Sequence, residues 1–173
     1  MHHLPQPGGA IDRLRAHAKH PVVKSKALVG WSEYVDLPDW GVRGLKAKID
    51  TGARSSALHV EDIEPLRGGR VRFVVIVHKE KRDRHVHVEA RVVRRSRVRS
   101  STGHYEYRYF VATTLRLGGI EREIEISLVD REKMRFRMLI GRTALAGAFI
   151  VDPSKRRAAY KRAKVARKAR RRR

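Results

Sequence analysis

The sequence predicts a mainly-β domain, a sandwich or barrel, over Leu28 to Asp152. Three observations predict it. Seven or eight short runs of β-branched, aromatic and aliphatic residues follow one another, with turn residues between them. Several runs alternate apolar and polar residues with the period of two expected of a half-buried strand. No run of strands alternates with long helical patterns, which argues against a parallel α/β sheet.

Residues 1–27 read as a flexible extension. Pro5, Pro7, Gly8 and Gly9 open it, and only Ile11 to Ala18 has a short helix-like spacing. Leu28, Val29, Trp31, Tyr34 and Val35 are β-formers, and Leu37-Pro38-Asp39 breaks their run. Val42 to Ile49 is a second strand that delivers Asp50 to its end. Val71 to Val77 is nearly all β-branched and is expected to be buried on both faces. In His85 to Val92, Val86, Val88, Ala90 and Val92 face one way and His85, His87, Glu89 and Arg91 the other. Tyr105 to Leu117 is another strand, and Leu117-Gly118-Gly119 a turn. Glu123 to Val129 turns Ile124, Ile126 and Leu128 inward. Phe136 to Ile140 is a short apolar strand closed by Gly141, Arg142 to Ala146 is helix-like, and Ala148 to Val151 is a last strand stopped by Asp152-Pro153. Residues 153–173 form a basic tail, disordered or helical.

Composition narrows the function classes. The chain has 173 residues, 41% of them apolar, which suits one domain with tails. It has no cysteine, so disulfides and thiolate zinc sites are excluded. No apolar run approaches a membrane span and the first twenty residues lack a secretory apolar region, so a cytoplasmic protein without membrane contact is expected. The formal net charge is +23, and twelve Lys or Arg between Ser154 and Arg173 supply half of it. The remainder is still basic, which favours an anionic partner: nucleic acid, ribosome or an acidic peptide.

The chemistry-bearing motif is Ile49-Asp50-Thr51-Gly52-Ala53. A carboxylate at a strand end is followed by a small hydroxyl residue and a glycine. The glycine lets backbone N–H groups reach the carboxylate, and the Thr51 hydroxyl is expected to lock the loop from behind. Two such carboxylates face to face cannot both ionise, so they share a proton, one acting as base on water and the other as acid. Catalytic roles therefore fall to Asp50, Thr51 and Gly52. Ala53, Arg54, Ser55 and Ser56 follow the loop and are expected to line the substrate cleft. A second element, Met138-Leu139-Ile140-Gly141-Arg142-Thr143-Ala144-Leu145, gives an apolar strand, Gly-Arg and a short helix. This order resembles the retropepsins, in which such a strand supports the catalytic loop; the support residues are Ile140, Gly141 and Arg142.

A closer resemblance covers Leu28 to Asp152. The strings Val29-Gly30-Trp31-Ser32-Glu33, Lys46 to His59 and Met134 to Arg142 look like the bacterial RimK-associated putative protease family, often labelled "ATP-dependent zinc protease". The resemblance implies a retropepsin-like aspartic-protease fold and a partner pathway that involves a RimK-type ATP-grasp glutamate ligase. The chain itself has neither a Gly-x-x-x-x-Gly-Lys-Ser/Thr loop nor a His-Glu-x-x-His pair, so no cofactor and no metal is expected. The His-x-His pair of His85 and His87, with Glu89 on the same face, reads as a solvent-facing strand surface. His59, His78 and His104 are scattered. Where retropepsins carry an acid two residues after the loop glycine, this chain has Arg54, which leaves Arg142 in need of another partner.

Only Asp50 among the aspartates is followed by Thr/Ser-Gly, so a two-carboxylate mechanism requires a homodimer. Asp50 and Gly141 are far apart in sequence, and the extra chain is expected in a hairpin between His78 and Tyr109. Its tip, Ser100 to His104, has the small residues of a flap, and Gly103 and His104 are candidate substrate contacts; a plain exposed turn fits the same residues. Three functional readings result. The first is an aspartic-type endopeptidase acting as a homodimer on acidic, glutamate-rich peptides or proteins. The second is a basic binding module on the same fold that holds nucleic acid, ribosome or acidic protein, in part through Lys155 to Arg173. The third, a metallopeptidase, rests on the family label alone.

Overall fold

The structure, a computed structural model, describes residues 26–78, 85–99, 103–132 and 134–160. The helix-like Ile11 to Ala18, the hairpin tip at 100–102 and the tail from residue 161 lie outside the described residues. Within them, no helix is long and apolar enough to cross a membrane.

The strands are β1 (Ala27–Gly30), β2 (Ser32–Leu37), β3 (Val42–Ile49), β4 (Ser56–Leu66), β5 (Arg70–Ile76), β6 (His85–Arg99), β7 (Tyr105–Leu117), β8 (Ile120–Val129), β9 (Met138–Ile140) and β10 (Phe149–Asp152). A 3-10 turn at Pro38–Trp40 joins β2 to β3, and one helical turn, α1 (Arg142–Leu145), follows β9. The mainly-β expectation therefore holds. Eight strands form one sheet in the order β2-β3-β9-β4-β5-β6-β7-β8. Parallel pairing of β4 with β8 and a bridge from Asp36 of β2 to Arg116 of β7 close it on itself. Closure removes free edges and encloses a core of Val35, Leu45, Leu58, Phe73, Val111, Leu115, Ile126 and Met138. β1 and β10 pair in parallel as a separate two-stranded sheet.

Alternation places the side chains as the pattern demands. Val88 and Ala90 are buried while His85, His87, Glu89 and Arg91 are exposed. In β5 burial on both faces begins only at Phe73, because Arg72 reaches solvent to pair with Glu89 and Glu64. β4 has no counterpart in the sequence reading. Its first half is buried, but between Glu61 and Glu64 the register with β5 shifts, and Asp62 adopts φ +52°. That bulge, with five exposed residues in a row, erases the alternation that reveals a strand.

The ordered chain also runs past Asp152, beyond the expected start of the tail. Trp31 N–H donates to the Lys155 carbonyl at 2.9 Å and Arg157 N–H to the Ser32 carbonyl at 2.8 Å. Gly30 admits this contact because a Cβ there would lie 2.3 Å from the Lys155 oxygen. The carboxylate of Glu33, 1% exposed, accepts from Gly30 N–H at 2.7 Å, Ala159 N–H at 3.1 Å and Tyr160 N–H at 3.4 Å. These bonds draw residues 154–160 onto β2.

Candidate active site

β3 and β9 run in parallel, with Ile49 opposite Ile140, so Asp50 and Gly141 leave the sheet side by side. Asp50 N–H donates to the Ile140 carbonyl at 2.9 Å. The chain then turns back, and Gly52 N–H and Ala53 N–H donate to Asp50 Oδ1 at 3.1 and 3.3 Å. A Cβ on Gly52 would stand 3.3 Å from that oxygen, tighter than ordinary contact, so any larger residue would have to displace the carboxylate.

The loop is fastened from the Gly-Arg side. Arg142 Nη1 donates to the carbonyls of Thr51 and Gly52, each at 2.9 Å. Arg142 thus finds backbone acceptors where the sequence offers Arg54 in place of an acid. Arg142 N–H donates to the Ala53 carbonyl, and Thr143 donates through both N–H and Oγ1 to the Arg54 carbonyl. Gly141 N–H donates to Ser56 Oγ at 3.2 Å, and a Cβ on Gly141 would fall 2.5 Å from the Ser55 backbone. Ile140 is fully buried beneath them.

Two placements differ from the sequence expectations. Ser56 is fully buried and serves as an acceptor for Gly141 rather than as a cleft-lining residue. Its carbonyl in turn accepts from Ser127 Oγ at 3.0 Å. Thr51 is exposed, and among the described residues its hydroxyl makes no hydrogen bond; the loop is locked by Arg142 instead.

Asp50, Gly52, Ala53, Arg54 and Ser55 border an open groove of about 660 Å³. Its far wall comes from the β6–β7 hairpin through Val98, Arg99, His104, Glu106 and Arg108. The hairpin expected between His78 and Tyr109 thus overhangs the Asp50 loop. His104 borders the groove, whereas Gly103, with φ +87°, makes the turn into β7. A third side, which the sequence reading missed, comes from Asp130, Arg131 and Met134 after β8. Burial and the neighbouring Arg108 guanidinium hold the Arg131 pKa below the ordinary arginine value, and the Asp50 carboxylate opposes them. Arg131 N–H donates to Nδ1 of the buried His59 at 2.8 Å, which fixes the loop's path. The charged Asp130-Arg131-Glu132 run directly after an apolar strand was the available signal for this wall.

His59 is buried on β4, and His104 borders the groove. His85 and His87 are exposed on β6, and Glu89 on the same face is engaged by Arg72 and Arg70. Among the described residues no group of three or more His, Asp or Glu is arranged to hold a metal ion.

This geometry has counterparts. The family described as "RimB-like: Retropepsin-like aspartic endopeptidase RimB" matches residues 28–162. A protein of Shewanella pealeana named "Probable alpha-L-glutamate ligase" is 37% identical over 133 residues, which are 75% of this chain and 29% of that protein. One from Parasynechococcus marenigrum with the same name is 37% identical over 131 residues, 74% of this chain and 28% of that protein. The chain therefore spans less than a third of these relatives' length. A crystal structure of a protein of unknown function from Legionella pneumophila superposes with a TM-score of 0.65 at 27% identity, covering 78% of this chain and 99% of that one. The family match spans most of the described residues, and the chain belongs to the RimB-like family of retropepsin-like aspartic endopeptidases.

Proposed function

We propose that the protein is an aspartic endopeptidase that works as a homodimer, each chain contributing one Asp50. The observation that carries this reading is the Asp50 carboxylate itself. Two backbone N–H groups orient it at the edge of a groove large enough for a peptide. Brought together, two such carboxylates share one proton. The ionised one takes a proton from a bound water, whose oxygen attacks the scissile carbonyl carbon. The protonated one gives its proton to the carbonyl oxygen. Collapse of the tetrahedral diol then releases an amine and a carboxylic acid.

Two features support a second copy at this face. Thr51 leaves its hydroxyl in solvent beside Asp50. The β1–β10 sheet is only two strands wide and displays Ile150 at 55% exposure. The substrate class follows from the groove's charge. Arg54, Arg99, Arg108, Arg131 and His104 line it against Asp50, Glu106 and Asp130, and Glu106 already pairs with Arg108. A glutamate-rich peptide complements such a wall. The glutamate-ligase name of the relatives fits the same substrate and the same pathway.

The test is peptide cleavage read by mass spectrometry, with a pool that includes glutamate-tailed peptides, from acidic to neutral pH and with or without a chelator. Wild type is expected to cleave, Asp50→Asn to lose the activity, and the chelator to have no effect. Cleavage that survives Asp50→Asn, or that the chelator abolishes, would refute the aspartic mechanism.

A further inference from the structure

We propose that the outer face of the β6–β7 hairpin is a docking platform for single-stranded nucleic acid; it meets the peptide groove at its tip, where Arg99 borders both. The register sets Arg95 opposite Tyr109, Arg97 opposite Tyr107 and Arg99 opposite Tyr105. Side chains two apart on a strand share a face, so these six residues form one surface. The inner face carries Ser96, Val98, Glu106, Arg108 and Phe110, and part of it walls the groove.

The outer face is a cross-strand ladder of cations on rings. The Arg95 guanidinium lies 5.1 Å from the Tyr107 ring and 5.4 Å from the Tyr109 ring. Arg97 lies 4.1 Å and Arg99 5.9 Å from the Tyr105 ring. Tyr105 is 55% and Tyr107 65% exposed, among the largest apolar surfaces the described residues show to solvent. All three arginines are exposed, and among the described residues none pairs with a carboxylate. By contrast, the inner-face cations Arg94 and Arg108 are neutralised by Glu125 and Glu106.

Unpaired cations and exposed flat rings at alternating positions meet two demands of one ligand. Arginine N–H edges bind phosphates while the ring beneath holds the guanidinium in place. Tyrosine faces stack bases, which takes a strand whose bases are not already stacked in a duplex. Successive arginines along β6 are about 6.8 Å apart, on the scale of one nucleotide of extended strand. An acidic peptide would use the arginines but has no flat group for the rings. The ladder therefore favours a single strand over an acidic protein.

The basic residues 161–173 give the full chain some salt-sensitive affinity for any polyanion, so the test must separate rings from charge. Full-length protein is titrated against a labelled short single-stranded RNA, a duplex of the same sequence and a glutamate-rich peptide, at several salt concentrations. Wild type is expected to prefer the single strand. Tyr105→Leu with Tyr107→Leu, at constant charge, is expected to weaken that binding about tenfold or more with little change for duplex or peptide. Tyr105→Phe with Tyr107→Phe keeps the rings and is expected to bind like wild type. Arg95→Gln with Arg97→Gln should lower the slope of log affinity against log salt by about 1.4, the share of two single-strand phosphate contacts. Circular dichroism and melting of each variant confirm the fold. Unchanged single-strand affinity in the folded leucine variant would overturn the proposal, leaving the binding to the tail. Preference of the wild type for duplex over single strand would overturn it too.

Discussion

Arg142 donates from a single nitrogen to the carbonyls of Thr51 and Gly52, so one guanidinium sets the positions of two successive peptide units. Those two peptide units carry the N–H groups that hold the Asp50 carboxylate. The side chain is exposed, so its loss should cost little global stability, about 1 kcal/mol for hydrogen bonds partly replaced by water. The catalytic consequence should be larger, because misplacement of a reacting group by an ångström costs far more than the bond that held it. Arg142→Ala is therefore expected to melt within a few degrees of wild type while its peptide cleavage rate falls tenfold or more, about 1.4 kcal/mol of barrier. Equal rates in the two proteins would show that the loop holds its shape without Arg142. Gly141 obeys a different constraint. A Cβ there meets Ser55 backbone at 2.5 Å, which no flexible side chain can yield to, so its identity is dictated by packing rather than by turn geometry.

Between β10 and residue 160 the chain behaves as an element of its own, with Glu33 as its clasp. The Glu33 carboxylate serves two backbone donors of that segment and one of β1, in a place water does not reach. Around it, Tyr160 meets Tyr34 edge-on at 5.3 Å, and Arg157 lies 4.8 Å from the Tyr34 ring. Removing the carboxylate strands buried N–H groups, at about 1–3 kcal/mol. Glu33→Ala should therefore loosen residues 154–160 before the barrel, and trypsin should cut the variant faster at Lys155, Arg156 and Arg157 in the folded state. Intact-mass analysis separates those cuts from cuts nearer the terminus; protection of the three sites equal to wild type would remove Glu33 from this role. The clasp was not legible in the sequence, since Glu33 and its donors Ala159 and Tyr160 are more than a hundred residues apart. The Asp-Thr-Gly loop was legible because local backbone chemistry dictates its residue types, and the Gly-Arg strand because its string resembles that of the retropepsins. β4 was not, because its bulge destroys the period of two, and the Asp130–Arg131 wall was not, because only barrel closure brings it to Asp50.

Barrel closure itself depends on a titratable residue. His59 lies on β4 where that strand meets β8, opposite Val129, and it is fully buried. Its backbone N–H donates to the Arg137 carbonyl at 2.6 Å, and its ring Nδ1 accepts the Arg131 N–H, so backbone and neutral ring together join β4 to the approach to β9 and to the groove wall. Asp130 Oδ1 at 3.5 Å from Nδ1 and Glu61 Oε1 at 3.6 Å from Nε2 favour the charged ring, while burial foremost, and then Arg137, disfavour it. The balance lowers the His59 pKa below its ordinary value. Between the lowered folded value and the unfolded value of about 6.5, the unfolded chain binds the extra proton. The stabilisation is therefore complete above that upper limit and is lost as pH falls through the folded value, with a slope of at most about 1.4 kcal/mol per pH unit. Carboxylates whose pKa values are held down, Asp39 by the Thr114 N–H and Glu89 by Arg72, lose their contribution only at lower pH, in the carboxylate range. Urea unfolding at neutral and mildly acidic pH should show wild type weakening on acidification. His59→Asn keeps an acceptor near Nδ1 but cannot take up the proton, so its stability should change much less over the same window. Parallel losses in the two proteins would place the acid sensitivity elsewhere in the barrel.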